Sequence, residues 1–424
     1  WGLWALALAG LAYLAGLTVW LGVQGLFFPY QLDYGEGVLL HFVREWSQGR
    51  PIYKAIEGYP YITSNYAPLP ILLALALTPL LGVVYAAGRV WTLLAVVAAT
   101  VLILAWVRRE GARWLATRLA WLPALAAALL FAGSPYVYHW APLFRVDLVG
   151  LALTLGGLYA VYRSSDEGQR RRRGLLGLAV VLFVAGLYAK QSFLFAPAAA
   201  LAYWFFFVDR RQALAMTAAM AVLGGGLFLL INALSGGGLW EGLVVSNVNP
   251  FLWPEFWTQQ ADFFGTFAIL ALLAGWYAID KFILDRATPL REKLSPLDFY
   301  LVAALVSLWL AGKAGAWENY FFEALAALAL CGGLGLARMG RHGTLAFRIV
   351  APLLVLAQVA LMWHTPRVAD RYLRLTRESN QEMVPILAGL PDPIISEDMG
   401  LLVTNDKVLD YYTFQYSQLA RAGR

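Results

Sequence analysis

Residues 2–37 read GLWALALAGLAYLAGLTVWLGVQGLFFPYQLDYGEG. The first 27 of these, to Phe28, carry no charge. A bilayer-spanning helix needs roughly 20 mostly apolar residues, and a signal-peptide core is only about half that length. The stretch therefore predicts a membrane anchor rather than a cleaved leader. The run ends in a proline and then two acids, Asp33 and Glu36, set among glycines. An apolar span followed by carboxylates at its mouth is the pattern from which the rest of the chain is read. The chain opens at Trp1 instead of Met, and a short preceding piece is expected to have been trimmed.

The remainder has the same character. Of 424 residues, 60% are apolar and 14% charged, whereas soluble domains carry about 25% charge to wet their surface. Eleven apolar stretches predict an all-α polytopic membrane protein: 2–28, 86–107, 119–134, 147–162, 174–189, 192–208, 213–233, 263–284, 297–312, 321–337 and 344–363. A twelfth, Pro68 to Gly82, is short and carries three prolines.

The net charge of +6 does not indicate a nucleic-acid partner, because the cations sort by loop. Five loops, led by Arg163 to Arg173 and Lys281 to Lys293, hold 18 of the 32 Lys and Arg; the alternate loops and the region after His364 hold seven each. The positive-inside rule puts the five basic loops in the cytoplasm. The alternation closes with a cytoplasmic N-terminus only if 68–82 does not cross. That segment is expected to be re-entrant or interfacial, lying against protein or a wet cavity. The exoplasmic face then carries loop 29–66, a Gly- and Trp-rich loop 235–262, and a tail, 365–424. The tail is expected to cap the membrane face, with a helix over about 366–389, a short strand near Leu401–Val403 and a terminal helix. This gives three parts: 1–235 with the first loop, 236–364 with further membrane helices, and the small α/β tail.

Several chemistries are excluded by motif. Cys331 is the only cysteine, and His41, His139, His342 and His364 lack metalloprotease spacing. There is no P-loop, kinase signature or dinucleotide fingerprint. What remains are charges in expensive positions on one face. Asp33 and Glu36 either cap the helix that follows or act in a site, with Gly35 and Gly37 letting backbone approach a ligand. The run Gly58 to Pro70 brings Tyr61, Asn65 and Tyr66 to a wall suited to a sugar. Arg145 and Asp147, two apart, cannot share a helical face and serve different partners. Lys190 and Gln191 interrupt two apolar runs. Lys313, Glu318, Asn319 and Tyr320 sit in a second such interruption. Cations for a phosphate, a carboxylate for an acceptor hydroxyl and aromatics for a sugar or polyprenyl chain suit a lipid-linked sugar donor.

The layout resembles the GT-C superfamily of membrane glycosyltransferases, with the protein O-mannosyltransferases and the bacterial aminoarabinose transferases closest in plan. The resemblance rests on Asp33-Tyr34-Gly35-Glu36 after the first span, Asn65-Tyr66-Ala67-Pro68-Leu69-Pro70 closing the first loop, and Arg145-Val146-Asp147 after Ser134-Pro135. It covers about residues 1–235. It implies inverting transfer from a polyprenyl-phosphate sugar on the exoplasmic side to a protein, lipid or glycan acceptor. Asp33 is then the base, Glu36 assists or shares a divalent cation with it, Arg145 and Lys190 contact phosphate, and Asp147 orients them. Two departures leave alternatives open. The acids are three apart rather than adjacent, so Glu36 competes as base, and Ala67 stands where relatives place Lys or His, so Lys54 or Lys313 takes a phosphate contact. The competing function is a transporter or flippase of lipid-linked sugars, which would place ionisable groups near the midplane.

Overall fold

A computed structural model describes residues 1–56, 60–166, 168–421 and 423. The principal helices are α1 (Gly2–Leu26), α2 (Tyr34–Ser47), α3 (Pro68–Leu81), α4 (Ala86–Gly111), α5 (Trp121–Ala132), α6 (Pro135–Trp140), α7 (Asp147–Ser164) and α8 (Gln169–Ala189). They continue as α9 (Phe195–Val208), α10 (Arg210–Leu234), α11 (Trp253–Thr266), α12 (Ala268–Leu284), α13 (Pro296–Gly312), α14 (Glu318–His342) and α15 (Ala346–Leu361). The tail adds α16 (Arg367–Ala388), α17 (Met399–Thr404) and α18 (Thr413–Arg421).

All eleven expected stretches are helical, but they are unequal. By length and composition α1, α4, α8, α10 and α14 can each cross a membrane, and α11 with α12, bent by 78°, makes a sixth if counted as one span. This differs from eleven full crossings. Counting apolar residues overlooks where the helices stop: α5 is 12 residues, or roughly 18 Å at 1.5 Å per residue. The segment 68–82 is the short helix α3, begun by Pro68 at its first position and ended at Gly82. At 14 residues it is about 21 Å long, too short to span alone.

The centre of the bundle is α14, with 94% of its most apolar window buried. Small residues let neighbouring backbones close on it. At Gly335 a Cβ would lie 2.3 Å from the Leu273 carbonyl oxygen of α12, so no side chain fits there. By contrast, α10 is nearly bare, and its exposed Val222, Leu229 and Leu234 have the surface of a lipid-facing helix.

Charge is organised differently at the two ends. Arg89, in the first turn of α4, is fully buried against Glu36 of α2. Its guanidinium also donates to the carbonyls of Gly25, Phe28 and Tyr30 at 2.6–2.7 Å, satisfying acceptors left open where α1 ends. At the far end, Arg338 and His342 of α14 meet Asp280 of α12, and Lys281 lies 2.7 Å from Asp298 of α13.

The tail closes over the first loop. Gln415 of α18 bonds both the N–H and the C=O of Thr63, at 3.1 and 2.6 Å. Arg44 of α2 donates to the Val403 and Lys407 carbonyls. Tyr372 of α16 donates to the Leu32 carbonyl at 2.9 Å. The expected strand near Leu401–Val403 is instead helix α17, N-capped by Asp398, whose side chain accepts from Leu401 N–H. The apolar run is short enough to read either way, and burial of Leu401 to Val403 suits one helical turn as well as a strand. The tail, expected as α/β, contains no strand among the described residues.

Candidate active site

Helix α2 shows why the first acid and the second part company. Asp33 is its N-cap, accepting from Gly35 N–H at 3.0 Å. That leaves the carboxylate at the mouth, with its side chain 29% exposed and its Oδ1 also 2.8 Å from Arg145 Nη1. The cap, posed above as one of two alternatives, is present, and the same carboxylate also meets Arg145. Three residues on, Glu36 turns inward with Leu39, Leu40 and Val43 on the predicted face, all fully buried. Its oxygens accept from Arg89, Leu32 N–H and Phe144 N–H. Glu36, a candidate base and metal ligand by sequence, thus stands in the ion-paired core of the first loop. Asp33 and Glu36 do not converge, and the described residues contain no group of three His, Cys, Asp or Glu that could hold a metal ion.

Arg145 lies just before α7 and reaches back over Gly35. A Cβ on Gly35 would fall 1.5 Å from Arg145 Nη1, so glycine is required for the guanidinium to reach Asp33. The same guanidinium faces the Trp140 ring at 5.2 Å and donates to the Tyr66 hydroxyl at 3.3 Å. Asp147, at the first position of α7, accepts from Lys190 Nζ at 2.6 Å and Asn319 Nδ2 at 2.8 Å. Its other oxygen is 3.9 Å from Arg145 Nε. Arg145 and Asp147 thus serve different principal partners.

These groups line one cavity of about 230 Å³. Asn65, Tyr66, Arg145, Asp147, Lys190, Gln191, Lys313, Asn319 and Tyr320, drawn from four separate segments, meet there. Lys190 Nζ lies 4.1 Å over the Tyr320 ring. Lys313 is placed by a short antiparallel bridge to Phe251, so the 235–262 loop positions a site cation. Among the described residues no carboxylate pairs with Lys313. Burial, and then the like charge of Lys190, hold its ammonium below the ordinary lysine pKa. The lining carries three cations and the Asp147 carboxylate; with Asp33, which pairs with Arg145 from outside the lining, one positive charge is left over. Burial raises the pKa of Tyr34 and of Tyr66, so both hydroxyls remain donors at neutral pH.

Two expected residues lie elsewhere. Tyr61, at φ 58°, packs against Tyr416 of the tail. Gly58 and Tyr59 of the same run lie outside the described residues. Glu318 lines a second cavity of about 660 Å³, where Asp33 also appears. Its carboxylate is 2.9 Å from His139 Nδ1 and accepts from Trp140 Nε1 at 3.0 Å. The sequence reading also missed Tyr34, Asn247, Asn249 and Phe414 in the first cavity, and His139 and Trp140 in the second. Tyr34 was legible, sitting between the two acids. Phe414 was not, because nothing local marks a tail residue that folds back on the site.

Fold and site define a class: a helical, multi-pass membrane protein with a cation-rich cavity beside a carboxylate on one face. Solved structures share the fold. One is ArnT from Cupriavidus metallidurans bound to undecaprenyl phosphate, with TM-score 0.65 and 13% identity over 97% of this chain and 87% of that one. The same transferase in the apo state gives 0.59 and 14%, over 91% and 66%. The archaeal oligosaccharyltransferase AglB from Archaeoglobus fulgidus, in complex with an inhibitory peptide and a dolichol-phosphate, gives 0.56 and 13%, over 91% and 58%. The chain therefore spans just under two thirds of apo ArnT and a little over half of AglB. No family model and no curated protein matches the sequence. These neighbours are GT-C superfamily members, and the chain has the GT-C fold.

Proposed function

We propose that the protein is an inverting glycosyltransferase that moves a sugar from a polyprenyl-phosphate donor to an acceptor on the exoplasmic face. One observation supports this reading: within a GT-C fold, Arg145, Lys190 and Lys313 converge on a cavity, and the Arg145 guanidinium on its wall reaches Asp33 at 2.8 Å. A polyprenyl-phosphate sugar carries one negative charge on its phosphodiester, matching the surplus in the cavity. In the reaction, an Asp33 oxygen takes the proton of the acceptor hydroxyl. The hydroxyl oxygen bonds to the anomeric carbon from the face opposite the phosphate. The carbon–oxygen bond to phosphate breaks, and its electron pair leaves with the polyprenyl phosphate. The charge that develops there is met by Arg145, Lys190 and Lys313, whose positions are set before the reaction. Asp147, itself bonded by Asn319, holds Lys190; Gln191, Asn65 and the aromatics Tyr66 and Tyr320 provide the sugar's wall.

A divalent cation does not fit the pair first considered for it, because Glu36 is occupied by Arg89 and two backbone N–H groups. No step is routed through a metal. The experiment is turnover of a panel of polyprenyl-phosphate sugars by the purified protein in lipid. Release of polyprenyl phosphate with transfer of one sugar supports the reading. Movement of intact donor across the bilayer without cleavage supports a flippase instead.

A further inference from the structure

The second cavity has a composition opposite to the first. It lies between α1, α6, the start of α14 and the tail helix α16, and Asp33 lines it from the dividing wall. Its acidic groups are Asp33 and Glu318, and no Lys or Arg among the described residues lines it. Asp33 is neutralised across the wall by Arg145, whereas Glu318 is held by His139 and the Trp140 indole. His364, also on the wall, is kept below the ordinary histidine pKa by burial and is uncharged at neutral pH. Around these polar groups stand flat aromatic faces: Trp140, Tyr138, Tyr372, Trp317 and Trp363. The last two are 65% and 55% exposed, so their rings are accessible to a ligand. Leu21 of α1 carries the wall down to the first membrane span.

From this contrast we infer that the larger cavity is the acceptor subsite and selects an uncharged, hydroxyl-bearing saccharide over a phosphorylated one. The inference rests on the proposed transferase reading, since it gives Asp33 an acceptor to deprotonate. Aromatic planes take the apolar faces of a sugar ring, while His139 and Glu318 bond its hydroxyls. A phosphate entering here would meet the Glu318 carboxylate with no cation on the wall to offset it, and like-charge juxtaposition disfavours wrong partners. A serine-bearing peptide offers these aromatic planes no sugar ring to stack on. Glu318 also links the cavities: it bonds the Trp140 indole, whose ring lies under Arg145, whose guanidinium holds Asp33.

The full chain in lipid nanodiscs is titrated with four probes: a short-chain alkyl glucoside, its 6-phosphate, a serine-bearing hexapeptide and undecaprenyl phosphate. The glucoside is expected to bind at least about tenfold more tightly than the 6-phosphate or the peptide. Trp317→Ala is expected to weaken the glucoside about tenfold while undecaprenyl phosphate binds as before. Because Trp317 is exposed, its loss does not disturb folding. Glu318→Gln is expected to raise the affinity of the 6-phosphate towards that of the glucoside, a gain that damaged packing would not produce. Equal or tighter binding of the 6-phosphate or the peptide overturns the inference, as does glucoside binding indifferent to Trp317→Ala. If undecaprenyl phosphate fails to bind the unaltered protein, the donor reading itself fails, whatever the glucoside does.

Discussion

Lys313 is the residue on which the donor-cavity account is most exposed. It is half-buried, lies near Lys190 and has no carboxylate partner among the described residues, so an anion is what would relieve it. Removing it by Lys313→Ala should weaken undecaprenyl phosphate binding at least about tenfold, or roughly 1.4 kcal/mol. The sign of the pH effect follows from its lowered pKa. Phosphate affinity is full while Lys313 is protonated and falls as pH rises through a value below the ordinary 10.5. Lys313→Arg, which stays protonated, should move that fall to higher pH. An affinity flat with pH in the unaltered protein would remove Lys313 from the donor contacts. The sequence placed this residue on the right face and among the phosphate candidates, because a cation between two apolar runs needs a reason. It could not show that the 235–262 loop would fix its backbone.

At the scale of elements, α2 carries most of the argument. Its N-cap points to the site and its next turn points to the core, three residues apart. Spacing alone could not separate the two acids; Arg89, far away in sequence, does. The clue was present, since an arginine inside the first turn of an apolar helix requires a partner. Glu36→Ala is expected to destabilise the fold by about 3–5 kcal/mol by leaving Arg89 buried without its counter-charge, read as a lowered thermal midpoint in detergent. Normal stability with lost catalysis would return Glu36 to the candidate bases. Gly35→Ala tests the opposite face of the same helix. The added methyl displaces Arg145 from Asp33, so transfer should fall at least about tenfold while the thermal midpoint moves little. Undiminished transfer would show that the contact between Arg145 and Asp33 is dispensable.

For the whole molecule, the all-α membrane architecture was legible because an apolar chain with few charges has no other way to satisfy its backbone in lipid. The GT-C plan was legible from the order of three motifs along the first half. The crossings were less so, because hydropathy reports apolar length and not where a helix stops or bends sharply. The tail was read correctly as two helices on the first loop's side but wrongly as holding a strand. A run as short as Leu401–Val403 does not reveal its period, and the pairing of Gln415 with Thr63 is a long-range event. That pairing makes the tail part of the site's frame: Phe414 on α18 lines the donor cavity. Gln415→Ala should loosen α18, seen as faster amide exchange across residues 62–65, with transfer reduced about tenfold or more. Unchanged exchange there would mean that the tail does not hold the loop.

The central claim is that Asp33 accepts the acceptor's proton beside a phosphate held by cations. The most direct measurement is Asp33→Asn in one preparation, scored for both undecaprenyl phosphate binding and sugar transfer. Asparagine keeps the cap and the size of the side chain but cannot take the proton. The account predicts binding within about twofold of the unaltered protein and transfer reduced by roughly 10²–10⁴. Transfer at the unaltered rate, with the donor bound as before, would contradict it.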